Sequence, residues 1–417
     1  MISGASIVTA LDNFFLTMKS SAAGVENRRR EESGEDGQLQ LPPGWIRVRL
    51  PIDVDAIAGY LMKTVPDFGT SLSGGPVQIL QSDNGMSNPT YMLWREKTPH
   101  KKYVVRKKPP GKLLPSAHQV EREYRAMKAL EGKIPVPKCH VLCEDTSFLG
   151  VPFYVMDFVE GRVLDDDRLA GWTPDDRSAL YADMVDVLAK LHSVDPASVG
   201  LGKHGKSGNY AFRQLKTWGR MYDMADPTIE ANKTKHDYAP EVLAMGSDMR
   251  RLARELKILA ETAVNEETTI VHGDYRLGNL MLHPQKPEIV AVLDWEISTL
   301  GHPLSDLAYC MSPWETPGVF LPGGVEEGFL PQGVPSEDEF IAAYCNKRGI
   351  QRFSQREWEF WKALNWFRKA AIVHGVYARA LAGNAGSSSA LQKGYLFTFC
   401  VERGLVSLGM TPGAPKL

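Results

Sequence analysis

An α+β fold in two unequal lobes, a small antiparallel β lobe followed by a larger, mostly helical lobe, is what the sequence predicts. Three observations carry this expectation. The chain has 417 residues, which is long for one hydrophobic core and suits two lobes. Between about residues 44 and 158, short β-like runs alternate with one helical stretch. From about residue 160 onward, helical periodicity dominates. The exception is a pair of β-like segments, Thr268 to Val271 and Glu288 to Leu293, that bracket a polar motif.

The elements follow in order. Residues 1–43 read as a flexible leader. Their polar part, from 19 onward, holds Arg28, Arg29, Arg30, Glu31 and Glu32 among Ser, Gly and Gln. It has too little apolar surface to offset the entropy of ordering. Residues 44–158 read as the small lobe. Val77 to Leu80 is β-like, Ser82 to Ser87 is turn-rich, and Tyr91 to Trp94 and Tyr103 to Arg106 are β-like again. Ala117 to Leu130 then places Val120, Tyr124, Met127 and Leu130 at helical spacing. Val136, Val141 to Cys143 and Pro152 to Met156 supply further strands. Residues 159–412 read as the large lobe. Amphipathic helices are expected over Ala179 to His192, Met249 to Ala263, Glu337 to Lys347 and Gln355 to Leu381. Residues 413–417 form an exposed tail.

Composition narrows the function classes. Apolar residues are 43% and charged residues 24% of the chain, ordinary for a globular protein. A net charge of −2 gives no global reason to expect nucleic-acid binding, so any anion site must be local. Five cysteines, Cys139, Cys143, Cys310, Cys345 and Cys400, form neither a disulfide framework nor a zinc spacing. No run approaches the ~20 apolar residues of a membrane helix. The short apolar start, Ile7 to Met18, contains Asp12 and Asn13 and lacks a basic leader, against a secretory signal. The last three residues, Pro415-Lys416-Leu417, resemble a peroxisomal address, so a peroxisomal or a cytoplasmic location is expected.

The chemistry is carried by His272-Gly273-Asp274-Tyr275-Arg276-Leu277-Gly278-Asn279. The motif follows a β-like run, and Asp294 follows in Val292-Leu293-Asp294-Trp295-Glu296. Phosphoryl transfer needs a carboxylate for the proton of the attacking hydroxyl, hard oxygens for Mg²⁺, and in-line geometry. The Asp-x-x-x-x-Asn spacing puts a base and a metal ligand on one loop, as in the protein-kinase signature. Asp294, on a hairpin beside it, can close the metal site.

In these motifs the chain resembles the aminoglycoside/choline phosphotransferase family. Within that family it is most similar to the kinase-like domain associated with acyl-CoA dehydrogenases. The likeness covers about residues 50 to 410 and implies a protein-kinase-like two-lobe fold. The HGD tripeptide stands where protein kinases carry HRD, and DWE replaces DFG. The resemblance implies Asp274 as catalytic base, with Arg276 on the transferring phosphate and Asn279 and Asp294 as Mg²⁺ ligands. It implies His272 and Asp306 as structural support for the loop. On the nucleotide side it implies Ser87, Asn88 and Thr90 over the phosphates. Arg106 would pair with Glu123, and backbone groups of Asp157 and Val159 would face adenine. Strand alternation lets only one of Arg106 and Lys107 point inward, and Arg106 is the residue expected there.

On the acceptor side, Arg213, Trp218, Arg368 and Arg379 lie in basic and aromatic segments, Asn209 to Trp218 and Asn365 to Arg379. A polycationic aminoglycoside would call for acidic surroundings instead. The expectation is therefore an ATP- and Mg²⁺-dependent kinase acting on a small hydroxyl acceptor, such as a hydroxyacyl-CoA. An acyl-CoA dehydrogenase is the expected partner; nucleic acid and a membrane span are not expected. Two alternatives stay open: a nucleotide-binding pseudokinase serving acyl-CoA metabolism, and a choline- or aminoglycoside-type kinase.

Overall fold

The computed structural model describes residues 41–42, 44–68, 74–83, 88–109, 119–164, 166, 168–317, 330–384 and 388–413. Nearly all of the expected leader, Ser87 and the terminal tripeptide lie outside the described residues.

The small lobe is built on six strands: β1 (Trp45–Ile46), β2 (Val77–Ser82), β3 (Thr90–Arg95), β4 (Thr98–Lys107), β5 (Cys139–Cys143) and β6 (Phe153–Asp157). They form one sheet in the order β1-β2-β3-β4-β6-β5, every pairing antiparallel. Alternation along β4 gives the sheet two different faces. Tyr103 and Val105 turn to one side with Tyr91, Leu93, Phe153 and Val155, where helix α1 (Val54–Thr64) covers them with Ile57 and Leu61. Val104 turns to the other side with Tyr154 and Met156, against Val120, Met127 and Leu130 of α2 (Val120–Leu130). This second face is continuous with the core of the large lobe.

One helix was expected in this lobe, and two are present. Helix α1 starts at Asp53, whose carboxylate accepts the Ala56 amide at 2.9 Å. It lies close after Pro51 and stops before Pro66, and only Ile57, Ala58 and Leu61 are buried. So short an apolar stripe leaves little periodicity to read.

The large lobe contains the four expected helices and the helix begun at 209–218, together with three that were not expected, Ala239–Ala244, Pro303–Cys310 and Lys393–Ser407. They are α3 (Pro174–Ser193), α4 (Tyr210–Ala231), α5 (Ala239–Ala244), α6 (Gly246–Thr262), α7 (Pro303–Cys310), α8 (Glu337–Arg348), α9 (Gln355–Leu381) and α10 (Lys393–Ser407). Their ends carry sequence signals. Thr173 caps α3 ahead of Pro174. Ser336 and Glu339 form a capping box on α8, and Gly349 ends it in the left-handed conformation. Helix α9 buries Trp358, Phe360, Trp361, Leu364, Trp366 and Phe367 around its circumference, so it runs through the middle of the lobe. None of the described helices is long and apolar enough to cross a membrane.

The two β-like segments around the polar motif do form strands, but not with each other. β7 (Thr269–Val271) pairs with β10 (Thr299–Gly301), and β9 (Ile289–Val292) pairs with β8 (Leu280–Leu282). The His272–Asn279 motif therefore runs from one two-stranded ribbon to the other.

Candidate active site

The segment from His272 to Asn279 is pinned from behind. The carboxylate of Asp306, in the first turn of α7, accepts the backbone amides of His272 at 2.6 Å and Gly273 at 2.8 Å. Asp306 is only 1% exposed. Burial alone would raise its pKa, but the His192 hydrogen bond and the loop amide hold it below the usual carboxylate range. His192 Nε2 donates to it at 3.3 Å, and Tyr344 lies 2.7 Å from His192 Nδ1. Gly273 has φ +85°, and an added Cβ would lie 3.2 Å from the Ile297 side chain. Both the turn and the close approach require glycine here.

His272 does not point at a substrate. It is buried, with Nε2 donating to the Leu293 carbonyl at 2.9 Å and Nδ1 accepting the Asp274 amide at 3.1 Å. Its ring lies 4.6 Å from Trp295. The histidine thus ties the Asp274 turn to the segment that carries Asp294.

Asp274 faces the cleft and remains one-fifth exposed. Asn279 Nδ2 donates to its Oδ2 at 2.8 Å and to its carbonyl at 2.9 Å. Arg276 Nε lies 3.4 Å from Oδ1. Leu293 donates its amide to the Asn279 carbonyl at 2.9 Å, which lashes the next residue, Asp294, beside the loop. Asp294 has φ +65°. A non-glycine residue in that region carries strain of about 1–3 kcal/mol, a frequent mark of functional sites.

The small lobe reaches this pair through one arginine. Arg106 on β4 lies 3.1 Å from Glu123 of α2 and 3.3 Å from Asp294. Lys107 takes the opposite face and donates to the Pro51 carbonyl at 3.3 Å. Glu123 is almost wholly buried. Burial pushes its carboxyl up to about 7, against the attraction of Arg106. Burial disfavours the Arg106 charge, yet Glu123, Tyr154 and Asp294 together hold its pKa above the ordinary value.

Asn88, from the segment expected over the phosphates, crosses the cleft. Its Nδ2 donates to Glu296 at 3.3 Å, while its Oδ1 is buried without a hydrogen bond. Thr90 donates to the Asn88 carbonyl at 3.1 Å. At the expected hinge, the Asp157 amide is already donated to Lys138 at 2.9 Å, and His140 Nε2 meets its carboxylate at 2.6 Å. The following amide, of Phe158, is donated to Lys102 at 3.1 Å. Val159 is the next residue along and is half-buried.

The four residues expected on the acceptor side do not form one group. Trp218 and Arg368 meet, with the guanidinium 5.3 Å from the indole. Arg213 instead donates to the backbone carbonyls of Gly208 and Leu300. Helical spacing cannot reveal such a capture, because the two carbonyls lie outside the helix. Arg379 is exposed near the far end of α9, about three helical turns beyond Arg368.

Sequence reading missed three residues. Glu296 receives Asn88. Tyr309 sits against Asp274, and burial with that carboxylate pushes its phenol above the ordinary value. Asn365 lines a small cavity beside Arg368. A signal existed for Tyr309, which follows Asp306 by three positions on the same helix and so shares its face.

Comparisons with known proteins identify the family. Residues 78–364 match the phosphotransferase enzyme family. A mouse protein described as acyl-CoA dehydrogenase family member 10 is 40% identical over 355 residues, covering 84% of this chain and 31% of that protein. This chain therefore spans about a third of that relative's length. A crystal structure from Ralstonia eutropha, described as a candidate aminoglycoside phosphotransferase, is 36% identical with a TM-score of 0.71, covering 86% of this chain and 99% of that one. Spectinomycin phosphotransferase in complex with ADP and spectinomycin shares the fold at a TM-score of 0.53 and 14% identity, covering 86% and 99% of the two chains.

Proposed function

We propose that this chain, which belongs to the phosphotransferase enzyme family, moves the γ-phosphate of ATP to a hydroxyl of a small molecule. The observation that carries the reading is the convergence of both lobes on one cleft. Arg106 lies within 3.3 Å of both Glu123 and Asp294, and Asp274 and Asn279 are joined at 2.8 Å. In this reading Asp274 accepts the proton of the acceptor hydroxyl and Arg276 steadies the transferring phosphate. Arg106 holds nucleotide phosphate, and Glu123 keeps its guanidinium in place. Asn88 and Thr90 cover the phosphates, and Asp157 and Val159 lie at the adenine edge.

Asn279 and Asp294 offer an amide and a carboxylate oxygen, hard donors that fit Mg²⁺, and the Asp294 carboxylate is one-third exposed. When bound there, Mg²⁺ would neutralise charge on the phosphates. ATP as donor is supported by the ADP in the spectinomycin phosphotransferase structure.

The acceptor is a hydroxyacyl-CoA or a related acyl compound, and an acyl-CoA dehydrogenase is the partner. Support comes from the mouse relative's description and from Arg368 and Lys369 over the ring of Tyr309, two cations that disfavour a polycationic acceptor. The test measures ATP consumption by wild type and Asp274→Ala across hydroxy acids, their CoA esters, choline and aminoglycosides. Turnover lost in Asp274→Ala is the expected result. Full activity in the variant overturns the base, and turnover of choline or an aminoglycoside alone overturns the acyl acceptor.

A further inference from the structure

Several half-buried cations of the large lobe are matched by carboxylates. Arg348 lies 2.7 Å from Glu267, Lys362 lies 2.8 Å from Glu337, and Arg403 lies 3.2 Å from Glu315. Among the described residues, Arg368 has no such carboxylate. It is held instead between two aromatic rings, with its guanidinium 5.3 Å from Trp218 and 4.8 Å from Tyr309. Ring faces orient a guanidinium and strip its water, but they do not neutralise it.

Behind Arg368 lies a cavity of about 20 Å³, bounded by α4, α7 and α9. That volume admits one water-sized group. Three polar atoms on its lining residues are buried without a hydrogen bond: Arg368 Nε, Trp361 Nε1 and Asn365 Oδ1. Buried polar atoms are almost always paired, so this set calls for a ligand. Two of the three are N–H donors, and both await an acceptor oxygen. Asn365 is 7% exposed and is fixed by donating Nδ2 to the Ala308 carbonyl at 3.3 Å.

The position relative to the chemistry is set by Tyr309. One side of this residue meets Asp274, while its ring face carries Arg368 and, at 5.2 Å, Lys369. One aromatic ring therefore separates the unpaired guanidinium from the carboxylate.

We infer that Arg368, with the indole N–H of Trp361 behind it, is the oxyanion subsite of the acceptor, selecting a hydroxyl compound that carries a carboxylate or phosphate near the reacting group. The inference rests on the phosphotransferase reading above. One oxygen of the anion enters the cavity and takes the two free N–H donors. The remainder of the acceptor extends past Tyr309 toward Asp274. A cationic acceptor is excluded by the same charge.

The test compares hydroxy carboxylates, their uncharged amides and their CoA thioesters as acceptors for wild type, Arg368→Gln and Arg368→Lys. Wild type is expected to show an acceptor KM at least tenfold lower for carboxylates than for amides. Arg368→Gln should erase that difference while the KM for ATP holds, and Arg368→Lys should restore part of it. An effect confined to CoA thioesters identifies carrier phosphate as the anion. Equal KM values for carboxylate and amide in wild type, or equal losses for both in Arg368→Gln, overturn the inference. If no acceptor is turned over, the kinase reading fails, and calorimetric titration of the hydroxy carboxylates into each protein decides the subsite alone. Binding to wild type but not to Arg368→Gln supports it. Equal binding, or none, means that the cavity holds a structural water and overturns it.

Discussion

Behind the His272–Asn279 loop, Asp306 and His192 are all but inaccessible, and their hydrogen bonds run to backbone amides, to one another and to the Tyr344 hydroxyl. In front of it, Arg106, Asp294, Asn88 and Glu296 meet side chain to side chain across the cleft, with Asp294 one-third exposed. The rear contacts cannot change partners without leaving buried amides unpaired, so they fix the loop. The front contacts join charged or polar side chains that other polar groups can satisfy in turn, so they can be exchanged at small loss. A site of this kind combines a rigid loop with rearrangeable contacts across the cleft.

The sharpest way to break the comparison is at Asp306. Asp306→Ala should destabilise the protein by about 3–5 kcal/mol, the range for removing one partner of a buried charged network. The His272 and Gly273 amides would be left buried and unsatisfied. Chemical denaturation measures this. A loss below ~1 kcal/mol would mean that the rear of the loop is no more committed than the front.

Next in size is Arg106→Met, which strips Glu123 of its counter-ion while keeping most of the stem. A loss of about 1–3 kcal/mol near pH 8 is expected. The sign of its pH dependence follows from the raised Glu123 carboxyl. A raised carboxyl binds a proton in the folded state over a range where the unfolded chain does not, so stability falls as pH rises through that range. Without Arg106 the range extends further upward. The variant should therefore lose stability between pH 6 and 9 more steeply than wild type. Parallel pH profiles would refute the assignment of Glu123 as the buried, strained partner.

These two regions differ as much in legibility as in rigidity. The loop is contiguous from His272 to Asn279, so its residues could be picked out together, and the helix cap that holds Asp306 is announced by Pro303. The two-lobe plan was equally readable, because long helices such as α9 carry their periodicity over many turns. Contacts across the cleft join residues separated by 188 and 208 positions, and nothing local encodes them. Arg106 was separable from Lys107 only as one of two alternating residues. Its neighbour's partner, the Pro51 carbonyl, became visible with α1, whose short stripe hid it. Arg213 and Arg368 look alike as basic residues among aromatics. They differ only in whether backbone carbonyls happen to lie within reach.

A third prediction concerns acid. His204 donates to, or accepts from, Ser298 at 2.8 Å, and His302 stacks on Trp361 at 4.4 Å. Burial lowers the two imidazoles to about 4 and about 3. A histidine lowered in this way is neutral in the fold while the unfolded chain takes up a proton, so stability is lost as pH falls below about 6.5. Each should contribute on the order of 1 kcal/mol per pH unit over that limb. His204→Gln should flatten the limb without abolishing it, since burial also lowers His302 and His192, and an unchanged slope would assign the acid loss elsewhere.

The smallest effect belongs to the front clamp itself. Asn88→Ala removes one hydrogen bond of 3.3 Å but also removes a buried, unpaired Oδ1. These losses oppose each other, and the stability change should stay within ~1 kcal/mol. Asn88→Asp keeps the shape and places a second carboxylate against Glu296, so it should be the more damaging of the two at neutral pH. Its penalty should shrink below about pH 5, where either carboxyl can take a proton. Thermal unfolding of both variants at two pH values decides the matter. If Ala is the more damaging substitution, Asn88 is a structural strut like Asp306 rather than an exchangeable clamp, and the distinction between front and rear fails at that position.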